Sequence, residues 1–143
     1  MRRESTEGTA PSTNGLLDSG EEILSNVTEV LAKSMEIDGA IGAALADYES
    51  GMCLGTAGGR AGFDLEVAAA GNSEVIRSKM KVMSALGLED QIEDILISLG
   101  KEYHLIFPQS GSSLFLYMAF DRKNANLAMA RHKLGSLAKN LEV

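Results

Sequence analysis

The run Leu114–Phe120, LFLYMAF, is almost continuously apolar. A strand with one wet face alternates polar and apolar residues, whereas a strand read this way is covered on both faces and lies in the middle of its sheet. Something must therefore pack on each side of it, which calls for three layers. At 143 residues the chain reads as one domain. A chain of that size buries roughly 70% of the surface its unfolded form exposes, enough for a core on each side of a sheet.

The elements around this strand follow from pattern. Residues 1–18 are rich in Ser, Thr, Gly and charge, without hydrophobic periodicity, and read as a disordered N-terminal tail before a domain over 19–143. Ser19 and Glu22 have capping-box spacing, and Ile23, Val27, Val30 and Leu31 then share a helical face, with Leu24 and Met35 beside it. GAIGAALADYESGMCLGTAG reads as a hairpin turning at about Asp47–Gly51, with small residues that imply a close neighbour. The second strand is expected at Met52 to about Thr56, with an exit loop over Ala57–Gly62.

Asp64 then caps a long helix to Leu86, on which Leu65, Ala69, Ile76, Met80 and Met83 repeat, and Gly87 stops it. Gly71 and Asn72 inside this helix suggest close packing there. Three strands, in QIEDILISLG, KEYHLIFPQS and SSLFLYMAFD, precede a final helix carrying Leu127, Ala130, Leu134, Leu137 and Leu141, with Asn124 as its cap. The order is α-β-β-α-β-β-β-α. The expected fold class is α/β (α+β), a three-layer sandwich whose five-stranded, mainly antiparallel sheet carries helices on both faces.

The chemistry is sparse. GMCLGTAGGRAG, residues 51–62, carries five glycines ahead of a helix, a setting in which phosphate is often held. It lacks the GxxxxGK[ST] pattern and GxGxxG, and its strand is half of a hairpin, so the glycines serve the chain's path. Cys53 and His104 are a conceivable nucleophile and base, yet no hydrolase motif surrounds them, and a lone cysteine on an apolar strand reads as a small buried hydrophobe. His104 and His132 lack ligand-spaced companions. Glu89, Asp90, Glu93 and Asp94 lack the alternating oxygen ligands of a cation loop. No metal or cofactor is expected.

The net charge of −7 opposes nonspecific attraction to nucleic acid or anionic membrane. No apolar run approaches the roughly 18 residues of a membrane span, and no secretory signal is evident, so the reading is cytoplasmic. On the long helix Glu66, Ser73, Arg77, Lys81 and Ser84 share a second face. With Lys79 and Ser78 nearby, it reads as a solvated surface or as one that meets an acidic partner.

The stretch Ile92–Leu99 carries Ile95, Ile97 and Leu99 on one side and Asp94 and Ser98 on the other. Placed at a sheet edge, such a strand is a pairing hazard, which a copy of itself across a twofold axis would remove.

The hairpin GAIGAALADYESGMCLGTAG, the helix of LEVAAAGNSEVIRSKMKVMSALGL and the stretch EDILISLGKEYHLIFPQSGSSLFLYMAFDRKNANLAMARHKL together resemble the Roadblock family, the Roadblock-type dynein light chains and their bacterial relatives. The resemblance covers about residues 20–141. It implies a homodimer formed by the third strand, with Ile92, Asp94, Ile95, Leu96, Ile97 and Leu99 at the interface and the two long helices side by side. Their Ser73, Arg77, Lys81 and Ser84 would then be available to a partner. It further implies a non-enzymatic regulator or scaffold, commonly of a small Ras-like GTPase in bacterial polarity, motility or signalling. The alternatives from the residues are a small-molecule-binding sandwich and a cysteine enzyme using Cys53 and His104.

Overall fold

The stretch LFLYMAFD forms the molecule's centre. In the computed structural model, which describes residues 26–141, Phe115 to Phe120 are all without solvent exposure. Their strand, β5 (Leu114–Asp121), is the middle one of a five-stranded sheet. The others are β1 (Ala40–Asp47), β2 (Cys53–Gly58), β3 (Ile95–Ser98) and β4 (Glu102–Pro108), in spatial order β2-β1-β5-β4-β3. Every neighbouring pair is antiparallel.

Alternation along the strands divides the core in two. Leu45, Leu105, Leu116, Met118 and Phe120 face helix α1 (described over 26–34) and helix α3 (Leu127–Asn140), meeting Val27, Val30, Leu31, Ala130 and Leu134. Ala44, Ala46, Ile106, Phe115, Tyr117 and Ala119 face helix α2 (Leu65–Ala85), meeting Leu65, Ala69 and Ile76. The three-layer sandwich and the element order are as the sequence implies. Ser19, Glu22, Ile23 and Leu24 lie outside the described residues.

Small residues in the hairpin do admit a close neighbour. A Cβ added at Gly55 would stand 2.9 Å from Leu31 Cδ1 on α1. Gly58 has φ +71, and its Cβ would lie 3.0 Å from the carbonyl oxygen of Ile41, so both conformation and space select glycine there. Strand β2 therefore runs two residues past Thr56, and the exit loop is correspondingly shorter.

Asp64 caps α2 by accepting from the backbone N–H of Glu66 at 2.9 Å and of Val67 at 3.2 Å. Its other end is a Schellman turn: Gly87, at φ +70, donates to Ser84 and Leu88 donates to Met83.

Three sequence expectations change. The third strand covers Ile95–Ser98 rather than Ile92–Leu99. Asp94 is drawn instead toward α3, where Arg131 clasps its carboxylate at 2.8–3.1 Å, and Leu99 starts the turn into β4 by donating to Glu102 O at 2.8 Å. The cap of α3 is Asn126, which accepts from Met129 N at 3.1 Å, while Asn124 donates its side-chain amide to Asp121 at 2.9 Å. Gly71 has no neighbour within 4 Å of the Cβ position, so close packing within the described residues does not explain it.

Candidate functional site: a sheet edge and an overhanging helix

The 21 residues of α2 make it roughly 31 Å long, against roughly 26 Å for the eight residues of β1. Arg77 donates to the carbonyl of Tyr48, the residue just after β1 ends, which places the later turns of α2 beyond the sheet. The buried stripe Leu65, Ala69, Ser73, Ile76 continues at helical spacing into Met80 and Met83. Past the sheet this stripe is less covered: Met80 is 42% exposed, Met83 is half-buried, and Leu86, just after the helix, is 67% exposed.

Among the described residues, strand β3 is bonded only to β4. Leu99 and Glu102 form a bonded pair across the turn, so in antiparallel alternation Ile97 and Ile95 are bonded to His104 and Ile106. Leu96 and Ser98 therefore aim their N–H and C=O groups at the free edge. Ile95 and Ile97 lie on the α2 face, half-buried, and Leu99 is 44% exposed.

The residues expected to share the outward face of α2 divide. Lys81 and Ser84 are exposed. Arg77 is half-buried, held by Tyr48 O and paired with Glu74 at 3.1 Å. Ser73 is fully buried and donates its hydroxyl to Ala69 O at 2.9 Å, so it belongs to the core face and offers nothing to a partner. Among the expected interface residues, Ile92, Asp94 and Leu99 flank β3 rather than belonging to it.

Cys53 and His104 lie on β2 and β4, with β1 and β5 between them, and Cys53 is level with Pro108 rather than His104, so the two stand farther apart than the roughly 14 Å of three strand spacings. Burial pushes the Cys53 thiol up, which disfavours the thiolate a nucleophile needs. His132 is exposed on α3. Among the described residues no three His, Cys, Asp or Glu side chains are grouped as a metal would need, and no helix is long and apolar enough to cross a membrane.

His104 belongs instead to a chain of polar contacts. Arg60, on the loop after β2, donates to Glu102, Glu102 accepts from His104 Nε2 at 2.8 Å, and His104 Nδ1 stands 3.1 Å from the Tyr117 hydroxyl. A carboxylate only accepts, so Nε2 carries the proton and Nδ1 accepts from Tyr117. Burial raises Tyr117 to about 12, keeping it a neutral donor. Phe63 stands edge-on to His104, and Arg60 lies over the Phe63 ring. The chain ties the loop after β2 to β4 and β5. Glu102 and His104, two apart on a strand, were legible as a same-face pair; Arg60 and Tyr117 carry no such signal.

The hydrogen bond from His104 holds the Glu102 carboxyl below its ordinary 4.5, Arg60 acts in the same sense, and partial burial opposes both. A depressed carboxyl stabilises the fold above its unfolded value, and that contribution disappears as pH falls through the folded one. Glu102→Gln should therefore cost about 1–2 kcal/mol at neutral pH. In chemical denaturation followed against pH, the gap to wild type should close in acid; a gap constant from pH 7 to 3 would refute this role.

No family model and no curated protein matches the chain. Solved structures do. Myxococcus xanthus MglB superposes with a TM-score of 0.74 at 16% identity, over 82% of this chain and 86% of that one. The gliding protein MglB of Thermus thermophilus gives 0.70 at 17% identity, over 83% and 87%. A Roadblock/LC7 domain from Streptomyces avermitilis gives 0.69 at 14% identity, over 79% and 92%.

Proposed function

From the Roadblock-type fold that this chain has, we propose that it is a non-enzymatic homodimeric regulator that binds a small Ras-like GTPase, in a cytoplasmic system of the motility or polarity kind. The observation that carries the reading is the coincidence of two unsatisfied features. One is the free edge of β3, with Ile95, Ile97 and Leu99 beside it. The other is the apolar stripe of α2 that outlasts its cover at Met80.

Pairing β3 with the same strand of a second copy removes the edge and extends the sheet. A twofold axis normal to the sheet sets both α2 helices on one side, giving a broad platform with Lys81 and Ser84 exposed on it. The two MglB neighbours, one of them a gliding protein, support the motility setting.

The test is a pull-down with a Ras-like GTPase encoded beside this protein, loaded with a GTP analogue or with GDP. Regulation requires that the GTP form be retained at least about tenfold better, a differential affinity of about 1.4 kcal/mol. Equal retention of both forms would reduce the protein to a scaffold.

A further inference from the structure

Resting on that self-pairing, we infer that the two β3 strands meet in one register, with Ile97 opposite Ile97 of the second copy. Opposed residues in an antiparallel pair point to the same face, so the twofold must pass through a residue position rather than between two. Only Leu96 and Ser98 of the strand turn their backbone groups outward. With the axis at Ile97, Leu96 of each copy faces Ser98 of the other, giving two bonded pairs, each exchanging both N–H···O bonds, from strand residues alone. With the axis at Leu96, strand residues supply one such pair, and any further bonding needs Asp94, which lies outside the strand.

Side chains choose the same register. With the axis at Ile97, Ile97 meets its copy and Ile95 meets Leu99, which is 44% exposed in the single chain. Moving the axis to Leu96 parts Ile97 from its copy and leaves Leu99 beyond the strand residues of the second copy. Asp94 takes no part, because Arg131 of its own chain already holds it.

Cysteine trapping separates the registers from each other and from failure of the self-pairing. In a Cys53→Ala background, Ile97→Cys should form an intermolecular disulfide under mild oxidation. It sits in a non-bonded pair, where Cβ atoms approach to about the 3.5–4.5 Å that a disulfide needs. Leu96→Cys, opposite serine, should not crosslink. Trapping through Leu96→Cys but not Ile97→Cys overturns the register while leaving the self-pairing in place. A dimer trapped by neither variant, or a monomer, overturns the self-pairing itself.

Discussion

Ile97→Lys should leave the protein monomeric at tens of micromolar while preserving its fold. Ile97 is half-buried on the terminal strand of the sheet and paired with His104, so within one copy a lysine stem can lie along the surface and carry its charge to water. In the dimer the two introduced ammonium groups would face each other across the axis, where like charges directly opposite are unfavourable and no water relieves them. The expected rise in dimer Kd is about a hundredfold or more, roughly 3 kcal/mol. Size-exclusion chromatography coupled to light scattering reads the mass, and circular dichroism reports the fold. A helical and sheet signal like that of wild type with the mass halved is the expected pair of results. Ile95→Lys should act in the same direction, and an Ile97→Lys protein that stays dimeric would move the interface elsewhere.

Phe120→Ala should cost about 3–5 kcal/mol, the usual range for deleting a fully buried phenylalanine. Phe120 is without exposure on the α1/α3 face of the central strand, opposite Tyr103 on β4 and Ala40 on β1. Both neighbouring strands are anchored by the sheet, so the cavity has little means of collapsing. Against the roughly 5–15 kcal/mol that holds a domain of this kind folded, the loss is a large fraction of the whole. It should appear as a lower urea midpoint with an unchanged slope. A shift below about 1 kcal/mol would mean that the site repacks freely and that the α1/α3 layer is looser than described.

How far each feature could be read from sequence depends on the range of the forces that fix it. The run LFLYMAF declared a doubly covered central strand because every position reports burial on one face or the other. Asp64, Gly51 and Gly87 marked their turns because a cap or a positive φ is a local requirement. The ends of β3 were not local. Ile92 and Leu99 are as strand-like as their neighbours, yet the strand begins where Arg131, 37 residues away, releases the chain after Asp94, and ends where Leu99 turns to bond Glu102.

Ser73 was misplaced for a different reason. A serine on a helix counts as polar in any periodic reading, but its hydroxyl can bond the carbonyl four residues back and so sit in an apolar layer at little cost. Lys81 and Ser84, on the same helix, are exposed. The Arg60–Glu102–His104–Tyr117 chain joins three elements far apart in sequence and emerges only when β4 and β5 pair and the loop after β2 crosses over them.

The mass of the wild-type protein in solution tests the account most directly, since the dimer underlies the platform, the register and the effect of Ile97→Lys. Light scattering across a dilution series from tens of micromolar downward should give twice the 15.2 kDa of one chain at the upper concentrations. A mass of 15.2 kDa throughout that series would contradict it.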